Sequence, residues 1–180
     1  GVRSPGRYWE HRWALSVLNT AIGGGLSSRL FQEIRESRGL AYSVYSSVDT
    51  FSDAGAFSVY AACLPERFDE VVRLATDVLA DVARDGITSS ECAIAKGSLR
   101  GGLVLGLEDS SSRMHRIGRS ELNFGAHRSI AQTLEQIDAV TLDEVNAVAR
   151  RLLSKPLGAA VLGPYKSKRS LPQRLRDIPG

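Results

Sequence analysis

The stretch Ser27-Ser-Arg-Leu-Phe-Gln-Glu-Ile-Arg-Glu-Ser-Arg-Gly-Leu-Ala-Tyr-Ser-Val-Tyr-Ser46 reads as a short helix, a glycine stop and a strand. Leu30, Phe31 and Ile34 make the i, i+1, i+4 pattern of a helical face packed on a core. Gly39 supplies the left-handed residue that ends a helix without a steric penalty. From Tyr42 the side chains alternate, with Tyr42, Val44, Ser46 and Val48 on one face and Ser43, Tyr45 and Ser47 on the other. The stop folds the start of the strand back beside the last helical turn, so Arg35 and Tyr42 are placed to point into one space. A guanidinium is a permanent cation with several donors, and a phenol adds a neutral donor. Together they suit an oxyanion or a peptide carbonyl.

Working outward, the pattern is that of an α+β domain. Pro5-Gly6 sits in a loop, and a helix is expected from Tyr8 to Ile22, with Trp13, Val17, Leu18 and Ala21 near one face and Gly23-Gly24-Gly25 ending it. That glycine run lacks the Lys-Ser/Thr and the preceding strand of a phosphate loop, so it reads as a tight helix-to-helix connection. Strands are expected at 41–50 and 56–64, joined through Phe51-Ser-Asp-Ala-Gly55 as an antiparallel hairpin. Phe57, Val59, Ala61 and Cys63 share one face and Ser58 and Tyr60 the other, which implies an antiparallel or mixed sheet with helices packed on one face.

Pro65 opens an amphipathic helix running to Gly86. Thr88 with Glu91 makes a capping box for the next helix, which continues to about Leu107 through glycines 97, 101, 102 and 106; these indicate close backbone packing or a bend. Residues 110–124 form a further helix with Arg113, Arg116 and Arg119 on one side, the spacing of a solvated or ion-paired row. Helices at 130–137 and, behind a Thr141/Glu144 box, at 141–153 follow, then a strand at 157–162 closed by Gly163-Pro164. The domain covers residues 1–165, and residues 166–180 read as a basic, mobile tail.

The run Gly23–Ser46 closely resembles the second half of the zinc peptidases grouped with pitrilysin, insulysin and the mitochondrial processing peptidase. Leu107-Glu-Asp-Ser-Ser-Ser-Arg-Met114, Ile137-Asp-Ala-Val-Thr-Leu-Asp-Glu-Val145 and Val161-Leu-Gly-Pro164 continue the likeness. The resemblance implies one half of a clamshell around an unfolded peptide: the first half, or a partner subunit, carries zinc and its base, and the second contributes an arginine and a tyrosine. The matching positions are Arg35 and Tyr42. Tyr42 is then the oxyanion donor, and Arg35 its electrostatic companion or a clamp on the substrate backbone. No hydrolysis is expected from this chain by itself. A non-catalytic binding or assembly subunit is the alternative the resemblance allows, but it needs neither residue.

The family's His-x-x-Glu-His motif is absent, and His11, His115 and His127 are scattered, so no metal is assigned to this chain; zinc is expected in the other half. The family's strand before the first helix is missing here or reduced to Gly1-Val2, which leaves a sheet edge open to self-association. Lysine plus arginine total 23 against 20 acidic residues, and five of the basic residues lie after Pro164, which argues against nucleic-acid binding. Two cysteines without ligand spacing read as core residues of a cytoplasmic protein, and no apolar run is long enough to span a membrane. The wealth of Ala and Arg suits a GC-rich bacterial genome.

Overall fold

The computed structural model describes residues 1–167 and 171–176. Its sheet has three strands, β1 (Val2–Ser4), β2 (Ala41–Thr50) and β3 (Gly55–Cys63), in the order β1-β3-β2 and antiparallel throughout. The β2–β3 hairpin turns where Ser, Asp and Gly place it. Val48 pairs with Phe57, Ser46 with Val59 and Val44 with Ala61. This sets one face against helix α1 (Arg12–Gly23), while Tyr45 and Tyr60, also cross-strand partners, stack at 5.0 Å on the other face.

α1 is the central element. Its Leu15, Val17, Leu18 and Ile22 are buried between β2 on one side and α3 (Ser89–Leu105) and α6 (Leu142–Leu153) on the other. Gly23 and Ser46 mark the closest approach: a Cβ on Gly23 would stand 2.4 Å from the Ser46 backbone nitrogen. The helix starts at Arg12 rather than Tyr8, because residues 6–12 are spent in two successive turns, Trp9 N–H to the Gly6 carbonyl and Arg12 N–H to that of Trp9.

The amphipathic α2 (Phe68–Asp85) follows one 3₁₀ turn at Pro65–Arg67 and buries Val71, Leu74, Val78 and Val82, largely against α6. Gly86, with φ +79°, stops it. Both expected capping boxes form, at Thr88/Glu91 and Thr141/Glu144, and a third, Ser129/Gln132, starts α5 (Ile130–Ala139). α4 is Ser110–Phe124.

Two expectations need correction. The closing strand at 157–162 does not form a ladder. Gly158 exchanges two 2.8 Å bonds with Gly1, but beyond it no strand lies alongside among the described residues. The α3 glycines 97, 101 and 102 do not mark close packing either: a Cβ on any of them would meet nothing within 4 Å, so they lie on an open face.

The N-terminal strand, expected to be missing or reduced to Gly1-Val2, is the three-residue β1, which pairs with Gly55–Phe57 alone. The outer edge of β3 from Ser58 to Cys63 is therefore unpaired among the described residues. At the end of the domain Tyr165 packs on Phe68 at 5.1 Å, and in the tail Arg174 bonds to Asp77 of α2 at 2.6 Å; residues 168–170 and 177–180 of the expected mobile tail lie outside the described residues.

Candidate functional site

The segment carrying Arg35 is anchored by Leu30 and Ile34, both fully buried. It does not continue as a regular α-helix. Phe31–Glu36 is a π-turn in which the Ser37 N–H reaches the Gln32 carbonyl, five residues back, at 2.9 Å. Such widened turns put side chains at angles an α-helix does not offer and are frequent at functional sites. Gly39, at φ +60°, reverses the chain, and the Leu40 N–H closes the turn onto the Ile34 carbonyl at 2.9 Å.

The strand then starts with a bulge. Ala41 pairs with Cys63 and Ser43 with Ala62, so Tyr42 is an extra residue without a partner. The alternation expected from the sequence set Tyr42 on the face of Val44 and Ser46; that expectation is corrected. Ala41 takes the buried position next to Val44, and Tyr42 is turned outward, 86% exposed. Bulges re-aim side chains in this way.

Arg35 and Tyr42 do meet. The Arg35 guanidinium carbon lies 5.8 Å from the centroid of the Tyr42 ring and 5.1 Å from that of Phe31. Both Arg35 and Tyr42 are exposed. Among the described residues neither makes a hydrogen bond or ion pair, so the guanidinium N–H groups and the phenol hydroxyl remain available to a ligand. What the arrangement offers is a cation and a neutral donor side by side on open surface.

The turn is fastened from behind. Arg29, one residue before Leu30, donates to both oxygens of Glu91 at 2.5 and 2.8 Å and to the Gly86 carbonyl at 3.1 Å. Glu91 also accepts from the Thr88 N–H and hydroxyl. The Arg29 bonds, with the Thr88 bonds after them, pull the Glu91 carboxyl down to about 2, against the opposing effect of burial. This pair joins the π-turn to the start of α3. On the strand side, the Ser46 hydroxyl donates to the Asn19 carbonyl at 3.0 Å and ties β2 to α1. Sequence reasoning missed the Arg29–Glu91 clamp, whose only local signal was that Glu91 already served the Thr88 box.

The described residues do not fit a zinc site. Among the described residues no three His, Cys, Asp or Glu side chains come together. His11 stands at the start of α1, His115 turns its Nδ1 to the Ser111 carbonyl at 2.9 Å, and His127 lies in the α4–α5 connection. Cys63 and Cys92 are free thiols.

The family profile described as "Peptidase M16 inactive domain" matches residues 1–99. An uncharacterized zinc protease of Mycobacterium tuberculosis is 75% identical over 180 residues, which is 100% of this chain and 41% of that protein. The uncharacterized zinc protease YmxG of Bacillus subtilis is 38% identical over 155 residues, covering 86% of this chain and 38% of its own length. A solved structure titled as a peptidase M16 inactive domain from Pseudomonas fluorescens aligns with TM-score 0.74 and 26% identity, covering 83% of this chain and 35% of that one. The chain thus spans about two-fifths of the length of the relatives it matches.

Proposed function

Because the chain belongs to the peptidase M16 inactive-domain family, we propose that it is the zinc-free half of a zinc peptidase, presenting Arg35 and Tyr42 to a peptide held against a zinc-bearing catalytic half. The observation that carries this reading is the pair itself: a guanidinium over a phenol ring at 5.8 Å, both exposed and, among the described residues, without a hydrogen-bond or ion-pair partner. A zinc ion held by the other half would supply the activated water. What this chain's residues do is bind and orient. Tyr42 donates its hydroxyl hydrogen to the carbonyl oxygen as negative charge builds there, and the Arg35 charge stabilises the same oxygen or grips the neighbouring substrate carbonyl. A donor already in place when charge develops costs no reorganisation, and removing one typically raises the barrier by about 2.7–4 kcal/mol. Among the described residues no metal site forms, so the chain by itself is expected to hydrolyse nothing. Two free thiols suit a reducing, cytoplasmic setting, and no helix among the described residues is long and apolar enough to cross a membrane.

The test is Tyr42→Phe in a protein carrying both this chain and the zinc-bearing half. The expected result is a fall in kcat of about 10²–10³-fold with little change in KM. Unchanged kcat refutes the role. A second reading, an assembly subunit that self-associates, draws on the unpaired β3 edge from Ser58 to Cys63. A sedimentation coefficient independent of concentration and matching a single copy counts against it.

A further inference from the structure

At the far end of β2 from Tyr42 lies a groove of about 400 Å³ lined by Arg7, Arg12, Arg116, Arg119 and Arg128. The five come from two distant parts of the chain, the approach to α1 and the α4–α5 hairpin. No carboxylate lines the groove, and none of the five is in an ion pair among the described residues. They are held in place by neutral groups: Arg7 by the Asn123 side-chain oxygen and the Thr50 carbonyl, Arg12 by Gln136, and Arg116 by the Thr133 hydroxyl at 2.8 Å. The Arg128 guanidinium carbon lies over the Phe124 ring, 4.2 Å from its centroid. Two further observations concern this cluster. The Arg116 Nε–H is buried with no acceptor. Burial, and after it the charge of Arg128, holds the Arg12 guanidinium below its usual pKa. Guanidinium forks match carboxylates in geometry as well as charge.

We infer that this groove binds the carboxylate side chains of an acidic, extended peptide segment. The inference rests on the reading of the chain as one half of a peptide-holding enzyme. A peptide fits better than a polyanionic nucleic acid: the positive charge is confined to one groove rather than spread along a stripe. Both tryptophans of the chain, Trp9 and Trp13, line the groove with Leu15 and Val48 and give it apolar walls for the stems and backbone of a peptide. The row foreseen as solvated or ion-paired is therefore split, with Arg116 and Arg119 turned into this groove.

The experiment is a fluorescence-anisotropy titration of the full-length protein with a labelled peptide of consecutive glutamates and its glutamine twin. The glutamate peptide is expected to bind at least about tenfold more tightly, the scale of one charge-assisted hydrogen bond, with the advantage shrinking as salt is added. In the double variant Arg12→Gln/Arg119→Gln the advantage is expected to vanish, while the glutamine peptide's affinity reports whether the protein remains folded. Equal affinities in the parent, or an advantage that survives the double variant, overturns the proposal. So does an oligonucleotide that outcompetes the glutamate peptide at equal charge concentration. Binding preference is read without turnover, so loss of the Arg35–Tyr42 role in the kcat measurement and loss of this groove are separate results.

Discussion

Glu91→Gln tests the clamp that holds the π-turn in place. The carboxylate accepts four hydrogen bonds, two from Arg29 and two from Thr88, and both partners of the ion pair are about three-quarters buried. Its pKa falls from 4.5 to about 2, which at 1.36 kcal/mol per pH unit corresponds to about 3 kcal/mol of folding free energy. The sign follows from the direction: the folded pKa lies below the unfolded value, so the contribution is complete above pH 4.5 and drains away as pH falls towards 2. The amide keeps the shape but loses the charge and one of the two acceptor oxygens, so Arg29 keeps the Gly86 carbonyl and one neutral acceptor at position 91. The expected loss at pH 7 is about 2–3 kcal/mol, or roughly 4–12 °C in Tm for a domain of this size. Urea unfolding of parent and variant from pH 7 to pH 2.5 measures it. The parent should lose its advantage between pH 4.5 and 2.5 and the two curves should converge. Equal stability at pH 7, or parallel pH profiles, would refute the assignment of the stabilisation to this pair.

Three further outcomes are expected. Gly39→Ala should lower stability by about 1–2 kcal/mol, read as a denaturant midpoint, because φ is +60° while no atom obstructs a new methyl group. Gly23→Ala should cost more, about 2–3 kcal/mol, since its methyl would meet the Ser46 backbone, which cannot move without shifting β2. Tyr42→Ala should leave stability within about 0.5 kcal/mol of the parent, as for other exposed positions, while abolishing the catalytic contribution of the full-length protein; a large loss of stability would mean the ring is structural.

Much of the architecture was legible because its causes are local. The Thr88 and Thr141 boxes, the Pro65 start, the Gly86 stop and the Ser-Asp-Gly hairpin connection each depend on a few adjacent residues, and each formed. What could not be read depends on distant partners. The segment 157–162 has a strand's composition but lacks a neighbour past Gly158, and the α3 glycines have a packing pattern with nothing packed on them. Arg35 and Tyr42 were identified by family likeness, whereas their geometry was not foreseen: Leu30, Phe31 and Ile34 carry an ordinary helical pattern, and no Gly or Pro announces the bulge at Tyr42. The arginine groove was invisible for a simpler reason. Arg7 and Arg12 are more than a hundred residues from Arg116, and only the packing of the α4–α5 hairpin against the start of α1 brings them together.

The two backbone irregularities flanking Gly39 gain meaning when taken together. A regular strand would have sent Tyr42 inward with Val44, and a regular helix would have aimed Arg35 by its ordinary 100° step. Each departure has an energetic cost; the bulge alone forgoes a cross-strand hydrogen bond worth about 1 kcal/mol. The return within the fold is small, since an exposed guanidinium on an exposed ring contributes about 0.5–1 kcal/mol and Tyr42 buries almost nothing. Packing energy therefore does not account for the pair, whereas the proposed role, in which both groups face the same outside ligand, would. Sequences that break local rules without a stabilising gain tend to do so where they act, and here the two breaks converge on one cation and one hydroxyl.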